Sequence, residues 1–421
     1  KDPWKTTRSV VDLSWETEQE EIIAAAYANH RALPWEQYND RFGYVWNIRN
    51  TLMPMFILDG GSPLTALEFN NMEPNEIAAC TISGQVGLWD LRADSEPVWL
   101  TDKRTFFDVP TCIQWSSPIT GHELTAAGLD GQILWYDMRN RSAPFDRVTL
   151  DMSRSINPKW ENAVGVTAYH FEPNIPTKFL AGTTEGTVII GNKKGKNTDE
   201  KIGKSIFQCH NGPILSVFRN PKFIKYFLTV GDWLMKIWFD EYSNEPVYWT
   251  DYDSAMITSA VWSKIKNSVV LIGRDDGQVD LWDYLEKGTG PRFSIKVTNS
   301  PIRKVIINDF GEHSAAGADD GSITVMRWTR HFGVFNEDDI SQMSSWLERE
   351  IRRERSLEVK LRETLIKKRT EERPVEAGVD MSDVERFDIK KAIDHYNKVL
   401  TDVVQKRGEK LGLWEALEEK D

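Results

Sequence analysis

Apolar and polar residues alternate over short stretches along most of the chain, at the period of two that puts successive side chains of a β-strand on opposite faces. Such stretches lie at residues 10–15, 65–69, 111–115, 167–171, 214–218, 258–262 and 302–306. A run of small residues follows, as in Ile77-Ala78-Ala79-Cys80 or Ser314-Ala315-Ala316-Gly317, and then a third segment. The third segments are variants of one phrase. Gly84-Gln85-Val86-Gly87-Leu88-Trp89-Asp90 and Gly277-Gln278-Val279-Asp280-Leu281-Trp282-Asp283 are nearly identical, and weaker copies stand at 131–137, 186–190, 235–238 and 321–326, with 43–47 beginning the series. With the Trp or its equivalent as marker (Trp46, Trp89, Tyr136, Gly191, Trp238, Trp282, Met326), the intervals are 43, 47, 55, 47, 44 and 44 residues. A Pro beside an aromatic then announces a fourth strand, at Pro54 and Phe56, Pro97 and Trp99, Pro144 and Phe145, Pro246 and Tyr248, and Pro291 and Phe293. Pro has no N–H for a ladder, so these strands are predicted at the outer edge of each unit.

A period of about 40–45 residues with four strands per unit resembles the blade of a WD repeat. The turns Asp130-Gly131, Asp276-Gly277 and Asp320-Gly321 fit the tight connection into the third strand. The expected fold is therefore all-β, a seven-bladed WD-repeat β-propeller over residues 1–335 followed by a helical C-terminal tail over 336–421. The seventh unit lacks a Pro-aromatic phrase after Trp328, whereas Pro3-Trp4 stands before the first blade. The N-terminal segment is expected to supply that missing outer strand and close the ring, leaving no long exposed edge. The marker tryptophans are read as blade packing. His210, before Asn211-Gly212, is expected to hydrogen-bond Asp232 and orient Trp238.

Beyond residue 335 the pattern changes. Residues 337–372 hold neither Gly nor Pro and are dense in Glu, Arg and Lys, while Ile340, Met343, Leu347, Ile351, Leu357, Leu361 and Leu365 recur at helical spacing. A narrow apolar stripe on a charged helix calls for a partner. Arg373-Pro374 and Gly378 break this helix, and Ser382-x-x-Glu385 opens a second one with Phe387, Ile389, Ile393, Tyr396, Leu400 and Val404 on its apolar side. The stripes suit docking on another protein's helices or on the propeller's own outer wall, and both can hold for different parts.

Composition narrows the function. The 17 Trp and an aromatic share of 11% exclude a mainly disordered chain. With 64 acidic against 52 basic residues the net charge is −12, which opposes general attachment to nucleic acid, anionic lipid or the acidic microtubule surface. Cys80, Cys112 and Cys209 are far apart and show no CxxC spacing, so no disulfide framework or zinc site is expected, and a reducing compartment fits best. No apolar run approaches the roughly 18 residues of a membrane span. The chain contains no HExxH or GxSxG phrase, so no catalytic residue, metal ligand or cofactor is assigned. Gly203-Lys204-Ser205 imitates the end of a phosphate-binding loop, but Thr198 occupies the place of its first Gly. Lys193, Lys194, Lys196, Lys201 and Lys204 make either a solvated loop or a basic contact patch. The pairs Asp275-Asp276 and Asp319-Asp320 are read as turn residues.

The most distinctive phrase is Phe227-Leu228-Thr229-Val230-Gly231-Asp232-Trp233-Leu234-Met235-Lys236-Ile237-Trp238, with Trp233 where a blade normally has Gly. Its Asp-Trp-x-x-Lys-x-Trp core resembles that of dynein intermediate chains. His210-Asn211-Gly212-Pro213-Ile214-Leu215-Ser216-Val217, with Arg219-Asn220-Pro221, is similar to the same blade of axonemal outer-arm intermediate chains. Gly191-Asn192-Lys193-Lys194-Gly195-Lys196 looks like the fourth-blade exit of the second such chain. The resemblance spans the propeller and is strongest over residues 182–283. It implies a non-motor, non-enzymatic subunit in the cytoplasm and the axoneme of a cilium or flagellum. The implied partners are the heavy-chain tail, a second WD-repeat intermediate chain, and light chains held through sequence preceding the propeller; any ATPase belongs to the heavy chain, and contact with microtubules is indirect. Because the chain starts at Lys1 without Met, the light-chain segment is expected to precede it. The candidate protein contacts are Trp233 and, on the tail, Trp346, Leu347 and Ile351. A WD-repeat adaptor of transport or ubiquitin ligation is the alternative.

Overall fold

In the computed structural model the described residues are 1–3, 8–18, 21–29, 41–116, 121–152, 159–172, 174–203, 205–242, 245–286, 290–329, 337–371 and 389–410. Seven antiparallel sheets make a β-propeller; six have four strands, and three strands of the seventh lie among the described residues. Strands within each sheet neighbour one another in chain order, so every blade is a simple meander. The alternating stretches form the innermost strands, among them Ser9–Trp15, Leu64–Phe69, Pro110–Trp115 and Val166–Glu172. The Pro-aromatic phrases lead into the outermost ones: Phe56–Asp59, Trp99–Leu100, Asp146–Thr149, Tyr248–Trp249 and Phe293–Lys296. The long interval before blade four is spent on the loop between Thr149 and Val166, which carries a 3-10 turn at Trp160–Asn162.

Alternation buries both faces of a blade, because each sheet is sandwiched between two neighbours. From blade two, Ala78, Cys80, Val86 and Leu88 pack toward Ile113, Trp115, Leu124 and Tyr136 of blade three, while Ile77, Ala79 and Trp89 pack toward Val45 and Leu58 of blade one. The marker positions Trp89, Tyr136 and Trp238 are buried. Blade four has Gly191 there, since a Cβ at that site would stand 2.1 Å from Cζ of Phe179, whose ring fills the space.

The ring closes where blade one meets blade seven. Val10, Leu13 and Trp15 pack with Ile306, Ala315, Ile323 and Val325, and Asp2 N–H donates to the Gly321 carbonyl at 3.1 Å. Trp4, assigned to the outer strand of the last blade, lies outside the described residues.

Around the central channel the innermost strands have one edge without a ladder partner, and side chains of adjacent blades satisfy it. Asp12 Oδ2 accepts from Leu67 N–H at 3.0 Å and Ser14 Oγ from Phe69 N–H at 3.0 Å. Glu68 Oε2 accepts from Trp115 N–H at 2.6 Å, Gln114 Oε1 from Phe171 N–H at 3.1 Å, and Ser259 Oγ from Val305 N–H at 3.2 Å. Arg219 faces Glu172 across the blade four and five junction at 3.9 Å, and Asn220 Nδ2 donates to the Asn267 carbonyl at 3.1 Å between blades five and six. Lys304 Nζ reaches Asp12 Oδ1 at 3.0 Å and joins blade seven to blade one.

Two compact units divide the chain, Lys1–Arg355 and Ser356–Asp421. The helix Glu337–Glu371 contributes to both, so the first unit extends about five helical turns beyond the place where the strand pattern ends. Within the first unit, Met343 and Leu347 join the apolar cluster of blades five and six, which includes Tyr226, Phe239, Trp282 and Tyr284. The second unit holds the end of that helix and the helix Ile389–Lys410.

Candidate docking surfaces

The turn of blade five is one residue shorter than those of blades two, three, four, six and seven. Its strands pair Val230 with Met235, whereas blade six pairs Gly273 with Val279. The shorter connection closes as a two-residue hairpin between Gly231 and Leu234, with Asp232 at φ 51° and Trp233 at φ 65°. Both central residues of such a hairpin need positive φ, which favours Asn-Gly or Asp-Gly. Glycine occupies the corresponding positive-φ position at Gly84, Gly131, Gly186, Gly277 and Gly321, and among the described residues Asp232 and Trp233 are the two non-glycine exceptions. Trp233 therefore sits in a backbone conformation that costs an L-residue about 1–2 kcal/mol.

Asp232 fixes this turn to the preceding loop by accepting from Asn211 N–H at 2.5 Å and Gly212 N–H at 2.9 Å. His210 is connected differently from the expectation. Its Nδ1 is 3.7 Å from Asp232, beyond hydrogen-bond reach, and its Nε2 is 2.9 Å from Thr229 Oγ1. The same hydroxyl accepts from Trp238 Nε1 at 3.1 Å, so Thr229 bridges His210 to Trp238. Burial pushes the His210 pKa down to about 4, with the nearby Lys236 ammonium adding to the shift against the pull of Asp232. The imidazole is neutral at pH 7 and serves the packing of the blade.

Trp233 is 40% exposed, and its ring lies 6.2 Å from that of Tyr252, which is 71% exposed in the loop entering blade six. Asp232 precedes Trp233, and Asp251 and Asp253 flank Tyr252 in sequence, while Asp275 and Asp276 stand in the turn of blade six, where Asp275 Oδ1 accepts from Met256 N–H at 2.9 Å. Arg274 is engaged by Asp253 at 2.6 Å, Asp280 at 3.1 Å and Asp276 at 3.7 Å, and Lys236 Nζ donates to the Cys209 carbonyl at 2.6 Å. The sequence singled out Trp233 but held no signal for Tyr252, because nothing in a loop's composition tells which turn it leans against.

The tail candidates separate. Leu347 is 1% exposed and covered by its own propeller, while Trp346 and Ile351 are partly buried against the same cluster. The Trp346 ring lies 5.2 Å from Tyr284 and 5.7 Å from Tyr248. In the second unit Leu357, Leu361 and Leu365 are about half exposed, as are Ile393, Tyr396, Leu400 and Val403 on the following helix.

Other chemistry is accounted for locally. Gly203 ends the short helix Thr198–Ile202 with φ 70°, at the helix terminus opposite to the one that binds phosphate; Lys204 lies outside the described residues. Lys193 bonds Glu123 at 2.6 Å with its ammonium 4.5 Å from the centre of the Phe145 ring, and Lys201 pairs with Asp146, so the lysine loop is tied down at two points. The channel has a volume of about 600 Å³. Burial raises Glu68 there to about 8, and burial with the Arg219 and Lys264 charges lowers His170 to about 3. Burial opposes the charge on Lys304, but Asp12 outweighs it and holds the ammonium above its usual range. Among the described residues no three His, Cys, Asp or Glu side chains are grouped to hold a metal ion, and no helix is long and apolar enough to cross a membrane.

Residues 129–315 match the family model described as the dynein axonemal intermediate chain 3 WD40 domain. The dynein axonemal intermediate chain 2 of Xenopus laevis is 33% identical over 401 residues, covering 94% of this chain and 67% of the relative. The chain belongs to the axonemal dynein intermediate chains. Within that family, the dynein intermediate chain 3, ciliary, of Heliocidaris crassispina is 34% identical over 87% of this chain and 61% of its own length. The 70 kDa intermediate chain of the flagellar outer arm of Chlamydomonas reinhardtii is 26% identical over 78% and 58%. The chain spans about three fifths of the length of these two relatives. A chain in the crystal structure of a mitotic checkpoint complex shares the propeller fold, with a TM-score of 0.59 at 15% identity over 76% of this chain and 90% of that one.

Proposed function

We propose that this intermediate chain is a non-catalytic scaffold of the axonemal outer dynein arm, gripping the heavy-chain tail beside a second WD-repeat intermediate chain and anchoring the arm in the cilium or flagellum. The observation that carries this reading is the extent of the family likeness. At 94% of the chain it runs through the propeller and into the helical extension, so the whole arrangement, and not a generic blade, is shared. The relatives are named for cilia and for the flagellar outer arm. A closed ring of packed sheets presents its turns in fixed geometry, which lowers the ordering cost of gripping a partner. The net charge of −12 favours indirect attachment to the acidic microtubule. The motor's ATPase belongs to the heavy chain.

The test is removal of the chain from a ciliated cell. Axonemes are expected to lose outer arms, with the heavy chain left unassembled and the arms restored by re-expression. Full arms without the chain, or its purification in a complex that lacks a heavy chain, would reject the reading and favour an adaptor outside motility.

A further inference from the structure

Trp233 is held in a backbone conformation that glycine adopts freely, yet its indole is not buried in return. Blades two, three, four, six and seven carry glycine at this place. An aromatic side chain retained against backbone preference and left facing solvent points to a contact outside the chain. Its neighbour Tyr252 extends the same patch, the two rings meeting at a 34° tilt.

The surrounding charge decides what fits. Asp232 adjoins Trp233 and Asp251 and Asp253 adjoin Tyr252 in the chain, Arg274 links Asp253 to Asp276 in the turn of blade six, and the nearby cations, Arg274 and Lys236, are spent on Asp253, Asp276, Asp280 and the Cys209 carbonyl. Asp251 and Asp275 are exposed. A guanidinium can lie flat on an aromatic face while its edge donates two hydrogen bonds to a carboxylate, a combination that a lysine ammonium reproduces less well. We infer that the Trp233–Tyr252 patch, with Asp232, Asp251 and Asp253 beside its two rings in the chain, is the seat of an arginine-bearing segment from another polypeptide. This deepens the proposed scaffold role by naming the chemistry of one partner segment.

The test places p-benzoylphenylalanine at Tyr252 in the full chain within intact axonemal dynein, and maps the photo-adducts. Adducts are expected on another polypeptide within about one helical turn of an arginine, with a yield that falls as salt is raised. Trp233→Gly is expected to cut that yield about tenfold while melting no lower than the parent, because it removes the indole and relieves the turn. Asp251→Asn is expected to lower it less. Adducts confined to this chain, adducts on a segment without arginine, an unchanged yield in Trp233→Gly, or a lower melting point for that variant would each overturn the inference. Whether the unmodified chain sediments with a heavy chain is read from the same preparation, so failure of the scaffold role is distinguished from failure of the seat.

Discussion

Thr229 is the residue on which the interior of blade five turns. One hydroxyl accepts from Trp238 and meets His210, both of them buried. Thr229→Val keeps the shape and leaves two ring nitrogens without that partner, so it is expected to cost about 1–3 kcal/mol, with Thr229→Ser costing less. Urea unfolding with an unchanged slope and a lower midpoint would show it. The sequence made His210 and Trp238 legible as parts of one network, but it assigned the link to Asp232. Alternation tells which residues share a face, and it does not tell which of them stands between two rings. Glu68 was invisible for a related reason, since its neighbour Trp115 belongs to the next blade. Its pKa of about 8 exceeds that of a carboxyl in an unfolded chain, so the folded state holds a proton that the unfolded state gives up. Stability therefore falls as pH rises from the ordinary carboxyl range to about 8. Glu68→Gln, which can still accept from Trp115, is expected to match the parent at pH 4 and exceed it by on the order of 1 kcal/mol at pH 8, as followed by thermal melting.

At the scale of elements, the long helix Glu337–Glu371 serves two surroundings with one pattern. Met343 and Leu347 are covered by blades five and six, and Glu350 and Glu354 continue the buried side, paired with Arg349 and Arg353. Leu357, Leu361 and Leu365 carry the stripe on while remaining half exposed. Leu347→Ala is expected to cost the propeller about 2–4 kcal/mol. Leu361→Asp should change melting by no more than about 0.5 kcal/mol, so any loss of arm assembly that it causes would report a partner. Calorimetry beside sedimentation of the complex separates the two. The helix and its apolar stripe were legible from spacing alone. Where the stripe passes from self-contact to exposure was not, because that depends on Tyr248 and Tyr284, far away in sequence, presenting rings to Trp346.

At the scale of the molecule, repetition carried the fold. The seven markers and the Pro-aromatic phrases located the blades and most of their outer strands, since a four-stranded meander that recurs at a near-constant interval buries both faces of every blade when the ring closes on itself. The seam was less legible, because a ring joins the two ends of a pattern that the sequence presents as a line. Asp12 holds three blades together there, accepting from Leu67 of blade two and pairing with Lys304 of blade seven from its own place in blade one. Asp12→Ala is expected to cost about 2 kcal/mol, and more than Asp12→Asn combined with Lys304→Met, because the single change strands an ammonium in the channel. Hydrogen exchange should rise first in blades one and seven. In an axonemal dynein intermediate chain, the stitching around the channel has a mechanical meaning. A tug on any rim is passed from sheet to sheet as hoop tension, shared by every junction at once, so the ring yields as a whole or begins to part at the one place where the chain had to meet itself.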